Sequence, residues 1–176
     1  MSGIFISYRR EDTGGAAGRL YDRLCDRFGS GRVFRDVDTI APGERFARKI
    51  DEKLAGTDVL IALIGREWIT SAGEDGRSRL HDADDFVRLE IGTALRRGIP
   101  VIPALVENAQ MPRAEELPAD LAPLAQCQAI EIDDAAFHED VGRLISVLVP
   151  RVGPEESGRE SPGWRRTAVL AAVTVL

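Results

Sequence analysis

The sequence predicts an α/β fold over residues 1–150, built on a short five-stranded parallel sheet. Two observations predict it. Short apolar runs alternate with segments of helical period along the whole stretch. One of those runs, residues 59–64, is almost wholly apolar, as a central strand covered on both faces requires.

Residues 4–8 open the chain as an apolar strand. Ala17, Leu20, Tyr21, Leu24, Cys25 and Phe28 then recur at the spacing of an amphipathic helix. Residues 33–37 are the second strand. Asp38-Thr39-Ile40-Ala41-Pro42-Gly43-Glu44 follows as a loop, with Pro-Gly suited to the centre of a type II turn. Phe46, Ile50 and Leu54 mark a second helix, and residues 59–64 the third strand. A long polar loop over 65–83 leads to a helix over about 84–97. Asp82, Asp84 and Asp85 stand at its start, where the helix dipole favours acids. Gly98 and Pro100 end it. Residues 101–106 are the fourth strand, in which Pro103 implies a bulge or an unpaired position. Residues 129–132 are the fifth, and Phe137, Val141, Leu144, Ile145 and Leu148 define a last helix. The simplest arrangement is a flavodoxin-like three-layer sandwich with strand order 2-1-3-4-5. Ligands in such sheets bind beyond the carboxyl ends of the strands, at the switch point between strands 1 and 3. The segments after Tyr8, Val37 and Ile64 should therefore surround any site.

Composition narrows the function classes. The 176 residues carry a formal net charge of −6. Residues 151–176 hold four Arg and three acids, leaving 19 basic and 26 acidic groups in residues 1–150. An acidic domain has no general attraction for nucleic acid, which ranks low as a partner. Two cysteines, Cys25 and Cys127, make no disulfide framework or metal-ligand cluster, and fit a reducing cytoplasm. Residues 151–163, rich in Pro, Gly and Glu, read as a linker. Trp164-Arg165-Arg166 before the apolar residues 167–176 resembles the cytoplasmic edge of a transmembrane helix. Ten apolar residues fall short of the roughly 20 that a span needs. The segment is either the beginning of a membrane tether or a short apolar tail, and the former places the domain at the inner face of the membrane.

Familiar catalytic signatures are missing: the sequence has no P-loop, no His-Glu-x-x-His and no Gly-x-Ser-x-Gly. A phosphorelay receiver needs an Asp at the end of strand 3, where Gly65-Arg66-Glu67 stands. His81 and His138 fall in polar surroundings, and no metal site is visible. Two features point to chemistry. Arg9 and Arg10, at a strand end and followed by Gly14 and Gly15, suit an anionic group such as a diphosphate; a solvated charged turn is the plainer reading. Glu90 lies at the border of an apolar helix face. Its neighbours three and four residues away are Phe86, Val87, Thr93 and Ala94, so no cation stands at helix-pairing distance from it. It is thus either a solvated glutamate or a carboxylate facing a cleft. Trp68 and Phe86 are available as an aromatic wall, or as core.

Taken together, these segments resemble the Toll/interleukin-1 receptor (TIR) domain. Ile4-Phe5-Ile6-Ser7-Tyr8-Arg9-Arg10 resembles its first box, and Phe34-Arg35-Asp36-Val37-Asp38 through Pro42-Gly43 its second box and BB loop. The helix with Phe86 and Glu90 matches the place of the family's catalytic glutamate. The resemblance spans residues 3–149. Many members cleave NAD at the nicotinamide glycosidic bond, releasing linear or cyclic ADP-ribose in immune or cell-death signalling. Receptor and adaptor members mostly bind one another. This chain departs from the frequent pattern at Phe86, where Trp is common, and at Val87, where Cys is common.

The resemblance implies NAD+ as substrate, no separate cofactor, and activity as a homo-oligomer. Glu90 would be the catalytic residue. Tyr8, Arg9, Arg10, Asp36, Gly43, Trp68 and Phe86 would bind substrate, with the arginines on the diphosphate and an aromatic ring on a base. Asp38, Thr39, Ile40, Ala41, Pro42, Gly43 and Glu44 would be the interaction loop. The rival implication is a non-catalytic adaptor that self-associates through that loop.

Overall fold

A computed structural model describes residues 3–35, 46–73 and 76–153. The strands are β1 (Gly3–Ser7), β2 (Val33–Arg35), β3 (Thr57–Ile64), β4 (Val101–Val106) and β5 (Ile130–Ile132). The helices are α1 (Arg10–Phe28), α2 (Phe46–Leu54), α3 (Phe86–Arg96) and α4 (Phe137–Val152). The strands form one sheet in the order β2-β1-β3-β4-β5, and every pairing is parallel. This is the expected α/β sandwich with the expected strand order.

The alternation of side chains along each strand sorts the core into two layers. Ile4, Ile6, Val59, Ile61, Leu63, Ile102, Ala104 and Val106 face α1 and α4, and pack on Leu20, Leu24, Phe28, Val141, Leu144 and Leu148. Phe5, Leu60, Ala62, Ile64, Val101 and Leu105 face the other way, onto Ile50 and Leu54 of α2 and Val87, Ile91 and Ala94 of α3. All six side chains from Val59 to Ile64 are therefore buried, which is why that run is apolar without interruption.

Four local details differ from the sequence expectation or refine it. Helix α1 begins at Arg10, so Gly14 and Gly15 lie inside its first turns, and Thr13 (φ −128°, ψ 17°) puts a kink there. Pro103 causes no bulge: the β3–β4 register runs unbroken through the Ala62–Pro103 pair, and β5 pairs with β4 only from Ala104 onward. Within the loop over 65–83, a bridge joins Ala72 to Ser78 and a 3-10 turn spans Arg79–His81. Helix α4 runs to Val152 and stops at Gly153 (φ 75°), two residues into the stretch read as a linker. Residues 154–176, with the remaining linker and the apolar segment, lie outside the described residues. Among the described residues, no helix is long and apolar enough to cross a membrane.

Helix α3 ends as its sequence predicts. Gly98 takes a left-handed conformation (φ 68°), and Ile99 N–H donates to the Ala94 carbonyl at 3.0 Å while Gly98 N–H donates to Leu95 at 3.1 Å. That pair of reverse hydrogen bonds is a Schellman stop. The other end of α3 faces the carboxyl edge of the sheet and carries the site.

Candidate active site

The alternation along β1 decides what meets what. Ile4, Ile6 and Tyr8 point to the α1/α4 layer, so Phe5 and Ser7 point to the α2/α3 layer. Ser7 ends the strand facing α3, and Glu90 projects from the buried side of α3 beside Val87, Ile91 and Ala94. The Ser7 hydroxyl donates to Glu90 Oε2 at 2.7 Å. Both residues are buried, Ser7 at 0% and Glu90 at 2% exposure. Glu90 is thus not the solvated glutamate of an ordinary helix surface. Desolvating a carboxylate is costly unless hydrogen bonds hold it, so its place at the edge of the core needs such a donor.

A second buried contact joins the same two segments, two residues after Ser7 and five before Glu90. Arg9 turns its guanidinium onto Asp85, with Nη1 donating to Oδ2 at 2.9 Å and Nη2 to Oδ1 at 3.0 Å. Its Nε donates to the Trp68 carbonyl at 3.4 Å. The side chains are 1% and 2% exposed. Asp85 is also the N-cap of α3, accepting the Arg88 N–H at 3.0 Å, and Arg79 Nε stands 3.5 Å from its Oδ2. Meanwhile the Arg9 carbonyl accepts the Thr13 N–H at 2.8 Å and opens α1. A single residue therefore starts one helix with its backbone and ties down the next with its side chain.

Gly65, which follows β3, completes this edge. A Cβ there would stand 2.4 Å from Thr13 Cγ2 and 2.5 Å from Asp12 Oδ1, so only glycine lets the β3 end pass under the first turn of α1. Asp12 Oδ1 accepts the Glu67 N–H at 3.0 Å and holds that crossing. A cavity of about 600 Å³ is lined by Gly73, Arg77, Ser78, Arg79, His81, Asp82 and Ala83, and not by Ser7, Gly65 or Glu90.

The residues expected from sequence to bind a ligand separate accordingly. Glu90 and Phe86 share α3 one turn apart, and Phe86 is 37% exposed. Arg10 is exposed at the start of α1. Tyr8 is buried in the opposite layer, and Trp68, 1% exposed, is packed in the α2/α3 core. Arg9 is committed to Asp85. In this conformation those three are spent on the fold rather than presented to a ligand. Asp36, Gly43 and the loop from Asp38 to Glu44 lie outside the described residues. Sequence reasoning gave Ser7 and Asp85 no role in the site. Asp85 carried a signal, since it directly precedes the first apolar residue of α3 as an N-cap should. Ser7 carried only its strand parity.

A parallel sheet in this strand order, with a buried carboxylate against the carboxyl end of β1, defines an α/β domain with a polar centre at that edge. Residues 4–145 match the family described as TIR domain, and the chain belongs to that family. Among solved structures it is similar to the TIR domains of the activated Roq1 resistosome, which directly recognises the pathogen effector XopQ. The TM-score is 0.57 at 11% identity, over 83% of this chain and 98% of that one. A likeness at that identity is one of fold.

Proposed function

We propose that this TIR domain cleaves NAD+ at the nicotinamide glycosidic bond, working as a homo-oligomer, with Glu90 as the catalytic carboxylate. The observation that carries the reading is the buried Ser7–Glu90 contact at the carboxyl edge of β1, where open α/β sheets bind ligands. Nicotinamide leaves a cationic pyridinium as a neutral base, so the departure needs no general acid. What needs stabilising is the oxocarbenium-like ribosyl cation. A carboxylate fixed in a poorly solvated place offsets that charge more strongly than one in water. Glu90 would hold the ribose hydroxyls and face the cation. Arg10 would take the diphosphate and Phe86 would stack on a base. Asp36 and Gly43 would line the pocket, and Asp38–Glu44 would supply the contact between copies.

The deciding experiment measures nicotinamide release from NAD+ by concentrated protein, wild type beside Glu90→Ala, with the products separated by chromatography. Release that disappears in the variant supports the enzyme, and the same trace identifies linear or cyclic ADP-ribose. A second reading, the non-catalytic adaptor, is favoured by one observation: Arg9, Tyr8 and Trp68 are all withdrawn from solvent. It predicts no release by wild type at any concentration, together with self-association that survives Glu90→Ala.

A further inference from the structure

We infer that the Arg9–Asp85 ion pair is a positioning device for Glu90, holding the Ser7 hydroxyl on its carboxylate; this rests on the catalytic reading of Glu90. Two contacts run side by side between the same two segments. Ser7 meets Glu90 at 2.7 Å, and two residues further along the first segment Arg9 meets Asp85, five residues before Glu90 on the other. The single Ser7–Glu90 bond alone fixes no angle. Together the two contacts pin the end of β1 to the first turns of α3 at two points, so that neither can rotate or slide past the other.

The pair is built for direction as well as attraction. A bidentate fork holds the guanidinium and carboxylate coplanar, and a lysine in its place would keep the charge but lose that constraint. Asp85 is fixed in turn by the helix it caps, through the Arg88 N–H. Arg9 is fixed by the Trp68 carbonyl on one side and by its own backbone at the head of α1 on the other. Helices α1 and α3 cover opposite faces of the sheet. Arg9 therefore ties the two layers together over the carboxyl edge, next to the one carboxylate whose aim matters. The guanidinium and carboxylate are taken up by each other, by the Trp68 carbonyl and by the Arg88 N–H, which makes Arg9 and Asp85 positioning residues and leaves the diphosphate to other groups.

The test is a cycle of Ser7→Ala and Asp85→Asn, singly and together, with Arg9→Lys beside them and wild type and Glu90→Ala as references. Each is assayed for nicotinamide release and thermal unfolding, and Asp85→Asn is crystallised. A misplacement of about 1 Å is worth up to about 10²-fold in rate, and a kcat loss of that order is expected for Asp85→Asn with KM for NAD+ unchanged. The double variant should be no slower than the worse single one, because both remove the same alignment. Arg9→Lys should fall between wild type and Asp85→Asn. Multiplying losses, or a rise in KM with kcat intact, would overturn the positioning role. If wild type releases no nicotinamide, the catalytic reading itself fails, and the crystal structure still decides the clamp. A Ser7–Glu90 contact unchanged at 2.7 Å in Asp85→Asn refutes it, and an opened contact upholds it.

Discussion

Ser7 Oγ and Glu90 Oε2 are 2.7 Å apart although 83 positions separate the two residues in the chain. The contact exists because β1 presents Ser7 to the α3 layer and α3 presents Glu90 to the sheet. A hydrogen bond to a charged group contributes roughly 1.5–3 kcal/mol. Ser7→Ala removes the donor and leaves the buried carboxylate with less solvation. We expect a stability loss of about 1–3 kcal/mol in urea unfolding, with the fold retained. A variant as stable as wild type would mean that Glu90 is satisfied without Ser7.

Asp85 illustrates the larger cost of breaking a buried ion pair. Its side chain is 2% exposed, and it receives two hydrogen bonds from Arg9 and one from the Arg88 backbone. Asp85→Ala strands a buried guanidinium and uncaps α3, so a loss of about 3–5 kcal/mol is expected. Replacing both partners, Arg9→Met with Asp85→Ala, should destabilise less than the sum of the single changes, since no charge is left alone. Chemical denaturation of the four proteins measures this directly. Additive losses would show that the two side chains do not depend on one another.

Gly65→Ala tests the crossing of β3 and α1. The added methyl would meet Thr13 Cγ2 at 2.4 Å and Asp12 Oδ1 at 2.5 Å, both closer than van der Waals contact allows. Relief requires α1 to shift outward at its kinked first turn, at a cost of roughly 1–3 kcal/mol. The matching control is Gly15→Ala, whose added methyl meets nothing within 4 Å. That control should be neutral or slightly stabilising because alanine favours the helix. Equal effects at the two glycines would contradict the close approach.

Phe86 stands apart from these because it is exposed beside a buried neighbour. If its ring stacks on a base of NAD+, Phe86→Ala should raise KM several-fold, well beyond what any accompanying fall in stability explains. At 37% exposure the ring still makes contacts that truncation removes, so a modest stability loss is expected as well. A fall in stability with KM unchanged would return Phe86 to a packing role.

What could be read in the sequence was set by neighbours along the chain. The run from Val59 to Ile64 announces a doubly covered strand because all its side chains are buried. Gly98 and Pro100 announce the end of α3 because the stop is made by three consecutive residues and the helix they close. Glu90 stands out in the sequence because no cation lies three or four residues from it, and that too is local. The Arg9–Asp85 pair was invisible because its members are 76 positions apart and each has an ordinary local explanation, one as a charged turn and the other as a helix cap. Trp68 leaves two readings open in the sequence, aromatic wall or core, for the same reason. It sits in a polar loop by sequence, yet the loop folds back and buries it against the α2/α3 layer. The start of α1 was read late because two glycines argue against a helix, whereas the kink at Thr13 accommodates them.

Asp140, away from the site, ties stability to pH. Its carboxylate accepts the Asp133 N–H at 2.8 Å, and an ion pair with Arg143 adds to this. The backbone hydrogen bond from Asp133, followed by Arg143, holds its pKa below the ordinary aspartate value, although burial works in the opposite direction. A lowered folded value means that the folded chain binds this proton less readily than the unfolded chain does. The group therefore contributes stability above its unfolded value, and that contribution is lost as pH falls toward the folded one. Asp140→Asn keeps an oxygen for the Asp133 N–H but removes the charge. Its stability should fall below that of wild type at neutral pH and approach it in acid. Urea unfolding of both proteins across that range gives the difference. A gap that stays constant, or widens on acidification, would mean that Asp140 is held by geometry alone and its charge does not contribute.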